Sequence, residues 1–250
     1  MSKKAIAFAV IGGTGLTEID GLEVIHREVL HTPYGEPSGP VTHGLLGGKR
    51  IVFLARHGYT HNIPPHKVNY RANIWALRSL GVEKVVAIAA VGGITRQMKP
   101  ETLVIPDQII DYTYGRAQTF HEEGLSSITH IDFTYPYCQS LRTALLKAGE
   151  QAKVDLVSGG TYAATQGPRL ETRAEIQRLE RDGSDLVGMT AMPEAILAKE
   201  AGLSYAACAV VANWAAGKNG DEVISIEQIS QHLQVGMAKI RTLLKHLSLD

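Results

Sequence analysis

Short apolar runs alternate with segments whose apolar residues recur at helical spacing, and this alternation constrains the fold more than any other feature. The runs are rich in β-branched residues and mostly end beside Gly, Pro, Asn or a small residue; they are 5–11, 51–55, 84–90, 102–105, 159–165 and 205–212. Helical patterns fall at 65–80, 139–152, 171–182, 193–202 and 226–247. Alternating strands and helices predict an α/β fold with a central mixed, largely parallel sheet flanked by helices.

The length of 250 residues fits one domain, 1–250, since α/β folds commonly reach this size undivided. No linker composition or internal repeat appears. The stretch 112–137 is aromatic, polar and irregular, which suits an active-site or interface loop. The 25 Lys and Arg residues balance 25 Asp and Glu residues without a basic tract, so nucleic acid is not an expected partner.

The cysteines and the N-terminal residues indicate the cellular compartment. Cys138 and Cys208 are too few for a disulfide framework, and we expect buried structural thiols. Basic residues precede the apolar run 5–11, but this run leads directly into Gly-Gly-Thr-Gly and is more typical of a first buried strand than of a signal peptide. No apolar run approaches membrane-spanning length. We therefore expect a soluble, cytoplasmic protein that does not contact a membrane.

Two polar side chains follow apolar runs at positions suited to a ligand. Glu171 lies in 166–175, where a β-rich run breaks at Gly-Pro and a polar helix opens. Asn213 follows the run 205–212 at the carboxyl end of a buried strand, where ligands of open α/β sheets gather. Together they could read a 6-oxopurine, with Glu171 accepting from N1–H and Asn213 facing N7 and O6. Either residue alone is more typical of an ordinary helix start or loop.

A glycine-rich turn and a strand-end arginine predict an anion site. Gly12-Gly13-Thr14-Gly15 follows a strand and could bind an anion through backbone N–H groups and the Thr14 hydroxyl. The dinucleotide fingerprint fails because its third glycine position is Glu18, and the Gly-Lys-Ser/Thr ending of a nucleotide P-loop is missing. Arg56 and His57 follow the run 51–55; a strand-end arginine can bind phosphate with two parallel hydrogen bonds, although a surface ion pair is the commoner role.

Five blocks carry a resemblance to a known family: GGTGL at 12–16, ARHG at 55–58, VNYRANIWAL at 68–77, GPRLETRAE at 167–175 and VGMTAMPEA at 187–195. In this order they resemble the trimeric purine nucleoside phosphorylase and methylthioadenosine phosphorylase family. The resemblance implies a single nucleoside phosphorylase domain and a homotrimer, or a dimer of trimers. It also implies phosphorolysis, in which inorganic phosphate is a co-substrate and no cofactor is needed.

The resemblance also assigns site residues. Phosphate ligands would be Thr14, Arg56, His57, Thr190 and the backbone N–H of Ala90, with His61 nearby. A family position that often holds a hydroxyl residue is Ala89 here, so one phosphate contact is expected to be missing. The residues expected to contact the nucleoside are Leu170, Glu171, Met189, Asn213, Ile226 and His130. Glu171 and Asn213 would serve catalysis by recognising the departing purine, and Met189 would pack under the ribose.

The 5' end separates the possible substrates. Ile226 stands where methylthioadenosine phosphorylases have an aliphatic residue and ordinary nucleoside phosphorylases a polar one, so it favours a methylthio group over a hydroxyl. His130 resembles a residue that reaches the neighbouring subunit's site. The chain stops after one final helix, without the longer extension that closes this pocket in the eukaryotic enzymes. We expect a 6-oxopurine methylthionucleoside phosphorylase that prefers 5'-methylthioinosine.

Alternatives remain open. The nearest is a purine nucleoside phosphorylase acting on inosine and guanosine; a methylthioadenosine phosphorylase is third, because that subfamily generally has Asp in place of Asn213 and Ser in place of Glu171. A non-catalytic nucleoside-binding protein would not need Thr14, Arg56, His57 and Thr190 together. No metal is expected, since His61 and His66 share a segment with no third ligand at convincing spacing. A covalent enzyme nucleophile is likewise not expected.

Overall fold

A mixed sheet organises the chain. The computed structural model describes residues 5–16, 18–19, 21–122, 130–220 and 223–249. Within these ranges it forms one sheet of 11 strands. The strands are β1 Phe8–Gly12, β2 Glu23–Glu28, β3 Val41–Leu46, β4 Lys49–Ala55, β5 Lys84–Gly93, β6 Leu103–Ile105, β7 Gln108–Asp111, β8 Leu156–Ser158, β9 Thr161–Ala164, β10 Leu186–Gly188 and β11 Ser204–Trp214.

The helices follow the predicted pattern, and side-chain caps mark several of their starts. They are α1 Tyr70–Ser79, α2 Gln139–Ala152, α3 Arg173–Arg181, α4 Ala191–Glu200 and α5 Ile226–His246. Asn69 caps α1 and Ser225 caps α5, while Thr172 and Glu175 form a reciprocal capping box at α3. The pattern at 65–80 contains a short 3₁₀ helix, Pro65–Lys67, before α1 begins.

The centre of the sheet is parallel. β4, β1, β5 and β11 lie side by side in parallel register, while β2 and β3 extend one edge as antiparallel strands. All six predicted strands occur, with ends moved by a few residues, and the α/β expectation is confirmed. Sequence reasoning missed β2 because it is an exposed edge strand with no apolar face, and β3 because His43 and Gly44 interrupt its apolar pattern.

The sheet divides the apolar core in two. Along β1, Ala9 and Ile11 face one cluster of buried side chains while Phe8 and Val10 face the other, as the period of two in a strand requires. Buried residues of α1 and α4 belong to the first cluster, and those of α2 and α5 to the second. Helices therefore cover both faces, so the central strands are apolar on both sides and present polar groups only at their ends.

The structure also bears on the expected burial of the cysteines and on membrane spans. Cys208 is fully buried in β11, and burial raises the pKa of its thiol to about 12, which confirms a structural thiol. Cys138 differs: it is only partly buried, just before α2, with its Sγ 3.1 Å from the Ser140 hydroxyl. Among the helices of the described ranges, none is both long and apolar enough to cross a membrane.

The packing of α5 on β11 generates a stability prediction. A methyl group at Gly236 would overlap Cγ1 of Val210 on β11. Gly236→Ala is therefore expected to lower the free energy of unfolding by about 1–3 kcal/mol. In an open helix the same change would instead stabilise by roughly 0.5–1 kcal/mol. Urea denaturation measures the difference, and adding Val210→Ala to Gly236→Ala should recover part of the loss. A Gly236→Ala variant as stable as the parent would contradict this packing.

Candidate active site

A cavity of about 560 Å³ opens where the parallel strands end. It lies at the carboxyl ends of β1, β4 and β10 and beside the last residues of β5 and β11, the position where open α/β sheets bind ligands. The predicted residues that line it are Thr14, Arg56, His57, Ala90, Leu170, Glu171, Met189, Thr190 and Asn213. The structure thus brings together side chains separated by as much as 199 positions in sequence.

Arg56 is held by a buried carboxylate. Its side chain is 1% exposed and Glu194 is 0% exposed. Arg56 Nε and Nη2 donate to Glu194 at 2.6 and 2.7 Å, and Nη1 donates to the Ile88 carbonyl at 2.9 Å. Burial opposes the charged form, but Glu194 outweighs it and raises the pKa of Arg56. The paired donors that we expected to face phosphate therefore bind Glu194, and two of the five N–H bonds remain for a ligand.

Glu194 is the main residue that sequence reasoning missed. It accepts a further hydrogen bond from Tyr205 Oη at 2.8 Å, so its carboxylate is surrounded by donors. The signal was available in the sequence, because Glu194 is a single carboxylate in the first turn of α4, whose other residues up to Ala195 are apolar and buried. Charged residues are almost never fully buried unless they are paired. A buried acid in such a helix indicates a buried cation beside it.

Gly13 allows β1 to end close to this ion pair. A Cβ atom at Gly13 would lie 2.5 Å from the Ile88 carbonyl oxygen and 3.0 Å from Arg56 Nη1. Only glycine fits without moving the guanidinium. The next residue, Thr14, lies at the pocket with its Oγ1 3.4 Å from His61 Nε2. The glycine-rich turn therefore brings the Thr14 hydroxyl to the cavity that Arg56 also lines.

His57 is neutral and has a fixed tautomer. Its Nδ1 lies 2.8 Å from the Ile63 carbonyl, which can only accept, so Nδ1 carries the proton and Nε2 is an acceptor. Burial, with the neighbouring Arg56 charge, lowers the pKa of His57 to about 4. Near neutral pH the imidazole is therefore uncharged and offers a lone pair.

At the other end of the pocket, Thr165 orients Glu171. Thr165 Oγ1 donates to Glu171 Oε1 at 2.7 Å, and the capping box of α3 begins at the next residue, Thr172. Glu171 is therefore fixed between a strand end and a helix start. Its remaining lone pairs are available to a donor in the pocket.

A bulge in β11 places Asn213. Ala212 is an extra residue between the pairs that Val211 and Asn213 make with β5. Bulges bend a strand and redirect its side chains, and they are common next to active sites. Asn213 Nδ2 donates to the Trp214 carbonyl at 2.7 Å, which leaves one N–H and Oδ1 for a ligand. The alternating apolar pattern predicted the strand but could not predict the bulge.

Arg116 connects the loops around the pocket. It donates to the carbonyls of Met189, Met192 and Gln166 at 2.8, 2.7 and 2.8 Å. No pattern in the sequence singled it out, although it lies in the irregular stretch 112–137. Because one guanidinium joins the segments that carry Met189 and Glu171, it fixes the distance between them.

Two predicted residues lie outside the pocket. Ile226 begins α5 and is 73% exposed, whereas Ile224, Ile229 and Leu233 line the cavity. Ile226 is on the same helical face as Ile229 but one turn farther out, so its side chain lies beyond the cavity wall. His130 is exposed and does not line the cavity of its own chain. Its contact with a neighbouring subunit stays a prediction.

The fold is that of an α/β protein with a candidate ligand site at the carboxyl edge of its sheet. Residues 7–248 match the profile of the Phosphorylase superfamily, and the chain belongs to this family. It is 50% identical to a probable S-methyl-5'-thioinosine phosphorylase of Xanthomonas campestris pv. campestris, over 99% of both chains. It is 46% identical to a 6-oxopurine nucleoside phosphorylase of Pyrococcus furiosus, over 88% of this chain and 84% of that protein.

A solved structure agrees with the fold. Methylthioadenosine phosphorylase from Schistosoma mansoni in complex with adenine superposes with a TM-score of 0.93 at 30% identity, covering 97% of this chain and 91% of that one. The family and these relatives place the chain among the nucleoside phosphorylases, which are pentosyltransferases.

The ion pair between Arg56 and Glu194 generates the second prediction. Glu194→Gln leaves a buried guanidinium without its counter-charge and is expected to lower the free energy of unfolding by about 3–5 kcal/mol. Replacing both residues, Arg56→Met with Glu194→Leu, should restore most of this loss because neither charge is then buried. Glu180→Gln, at a more exposed pair with Lys218, is the matched control and should cost less than about 1 kcal/mol. Chemical denaturation that gives equal losses for Glu194→Gln and Glu180→Gln would contradict the assignment.

Proposed function

We propose that the protein catalyses the phosphorolysis of S-methyl-5'-thioinosine to hypoxanthine and 5-methylthioribose 1-phosphate. One observation carries this proposal: a single cavity is lined both by Arg56, the proposed anion ligand, and by Glu171 and Asn213, the proposed purine contacts. Two relatives that are 50% and 54% identical to this chain are named probable S-methyl-5'-thioinosine phosphorylases. Inorganic phosphate is the co-substrate, and the reaction needs no metal or organic cofactor.

Phosphate would bind at the anion end. The two free N–H bonds of Arg56 and the hydroxyls of Thr14 and Thr190 would donate to its oxygens. Ala90 would add its backbone N–H: Ile88 directs its carbonyl to Arg56, and a residue two positions along a strand directs its backbone groups the same way. Inorganic phosphate near neutral pH still carries an O–H, which the Nε2 lone pair of His57 would accept.

The base would bind at the opposite end. Glu171 would accept from purine N1–H, while the one free N–H of the Asn213 amide would be shared between N7 and O6. Thr165 supports this arrangement because its hydroxyl already fixes one carboxylate oxygen of Glu171. Adenine has no N1–H and presents an amino group at C6, so it would leave both protein groups poorly matched. A 6-oxopurine is therefore the proposed base.

The sugar would lie between these ends. Met189 is positioned to pack under the ribose, and Leu170 lies beside Glu171 at the pocket wall. The 5' substituent would meet Ile224, Ile229 and Leu233. A buried methylthio group gains about 1 kcal/mol or more from apolar burial, whereas a 5'-hydroxyl there loses its hydrogen bonds to water. This wall favours methylthioinosine over inosine.

The proposed reaction is a displacement at C1'. A phosphate oxygen forms the new bond to C1' as the bond to purine N9 breaks, and the electron pair leaves with the purine. Asn213 would stabilise the negative charge that develops at N7 and O6; donors of this kind are typically worth about 3–4 kcal/mol. The phosphate anion, aimed by Arg56, would stabilise the positive charge on the ribose.

A homotrimer would complete the 5' end. Val223 and Ile226 flank the cavity-lining Ile224 in sequence and are 90% and 73% exposed, and we infer that they form the mouth of the cavity. Exposed apolar side chains beside a cavity are typical of a surface that a partner covers. We propose that His130 of one subunit reaches the neighbouring subunit's mouth at Ile226, and that trimers pair further into a dimer of trimers.

An assay of phosphate-dependent base release tests the function directly. Methylthioinosine should be used more efficiently than methylthioadenosine by roughly 10²–10⁴-fold, because two unpaired polar groups each cost about 1–3 kcal/mol. The kcat/KM for methylthioinosine should exceed that for inosine by roughly 10–100-fold. Equal kcat/KM on inosine would instead make the protein an ordinary purine nucleoside phosphorylase. Release of base without phosphate, or no release from any of the three, would exclude the proposal.

A substitution at the purine end tests the base assignment. Asn213→Asp is expected to move activity toward methylthioadenosine, since a protonated carboxyl can donate to N7 while its other oxygen accepts from the 6-amino group. The ratio of kcat/KM for the two nucleosides measures the change. Asn213→Ala is the control and should lower both activities without reversing the preference. An unchanged ratio in Asn213→Asp would show that Asn213 does not read the base.

A pair of isoleucines tests the 5' wall. Ile229→Asn is expected to narrow the preference for methylthioinosine over inosine, because the new amide gives a 5'-hydroxyl a hydrogen-bond partner. Ile226→Asn is the matched control at the exposed position and should change the ratio less. If Ile226→Asn narrows the ratio and Ile229→Asn does not, the 5' group lies at the mouth, as the sequence suggested.

A further inference from the structure

Three metal-binding side chains lie on one face of the β2–β3 edge. His26 on β2 pairs directly opposite His43 on β3. Glu28 follows His26 by two residues and therefore points to the same face of β2. Among the described ranges, this is the one group of at least three His, Cys, Asp or Glu residues whose ligand atoms converge. None of the three lines the active-site cavity.

The distances between their ligand atoms are close to those between the ligands of one metal ion. The three ligand atoms lie within 4.8 Å of one another. Glu28 Oε2 is 2.9 Å from His43 Nε2 and 3.9 Å from His26 Nε2. Ligands of one tetrahedral zinc ion, bound at about 2.0–2.2 Å, lie about 3.3 Å apart. Rotation of a side chain could therefore bring the three ligand atoms to this spacing.

The environment of His43 points to a ligand independently of these distances. Its side chain is only 3% exposed, and within the described structure neither ring nitrogen has a hydrogen-bond partner. Although Nε2 lies close to Glu28 Oε2, the geometry is not that of a hydrogen bond. A buried polar group without a hydrogen-bond partner is destabilising, and Nε2, which faces Glu28 Oε2, is the ring nitrogen that a ligand could bind. A metal ion at the Glu28 side would be such a partner.

His26 has the freedom to complete the site. Its ring stacks on that of His43 with centroids 4.3 Å apart and planes 8° apart. Parallel rings direct their lone pairs along separate planes, so one ring must turn before both can bind one ion. The His26 side chain is 48% exposed and can turn without disturbing the core, whereas buried His43 stays fixed.

We propose that His26, Glu28 and His43 bind one divalent transition-metal ion of the zinc type. Two imidazoles and one carboxylate are a ligand set that such ions favour, with a fourth position left for water. The ion would join edge strand β2 to β3, and it would be separate from the phosphorolysis reaction.

Zinc binding to the full-length, chelator-treated protein tests this proposal. Titration against a chromophoric chelator should give one Zn²⁺ per chain, and His26→Ala or Glu28→Gln should weaken that binding by at least about tenfold. His31→Ala is the matched control, because His31 is an exposed histidine paired with Glu36 alone and should leave binding unchanged. Zn²⁺ should also raise the melting temperature of the parent protein but not of His26→Ala.

Two outcomes would overturn the site. One is an absence of stoichiometric Zn²⁺ binding in the parent protein. The other is equal affinity in the parent and in both site variants, which would place the ion elsewhere, for example at His57 and His61. Base release should be the same in His26→Ala as in the parent, so a failure of the zinc site is distinguishable from a failure of the proposed phosphorylase function.

Discussion

The buried pairing of Arg56 with Glu194 is the interaction on which the site depends. A guanidinium with 1% exposure at a strand end would be strongly destabilising alone, and Glu194 supplies the counter-charge from the first turn of α4. The pair therefore joins the end of β4 to the start of a helix on one face of the sheet. Because both partners are fixed, the two N–H bonds left to Arg56 have defined directions before any ligand binds. The arrangement has the preorganisation that the proposed anion site requires.

Further hydrogen bonds fix the other side chains of the pocket. Thr165 fixes Glu171, the Ile63 carbonyl fixes the tautomer of His57, and Arg116 ties together the loops on either side. In each case a donor and an acceptor that are at least partly withdrawn from water satisfy one another. The geometry of the cavity thus follows from ordinary hydrogen-bond requirements, applied where several strands end together.

The sequence predicted the strands and helices better than the local features that orient side chains in the site. Apolar runs bounded by small residues were sufficient to find the central strands, because burial on both faces leaves a plain signal. Glu171 and Asn213 were found because polar residues at strand ends stand out against those runs. The bulge at Ala212 was not predictable, since one extra residue leaves the apolar pattern unchanged. Glu194 stands out in the sequence only as an acid among apolar residues, and its partner Arg56 is 138 positions away. Ile226 was expected at the 5' end because the resemblance gave an alignment, which does not show how far along α5 the cavity wall extends.

The two ends of the cavity differ in how they are built. The end proposed to bind the anion is formed by residues directly after β1 and β4, joined to a fully buried charge, so changes there disturb the core. The opposite end is formed by a bulged strand terminus and by a segment between β9 and α3, where side chains are half-buried or exposed. Substitutions at that end can alter the recognised group at little cost in stability. A fold built in this way can vary the groups at the half-buried end of its cavity in small steps while the buried ion pair at the other end stays the same.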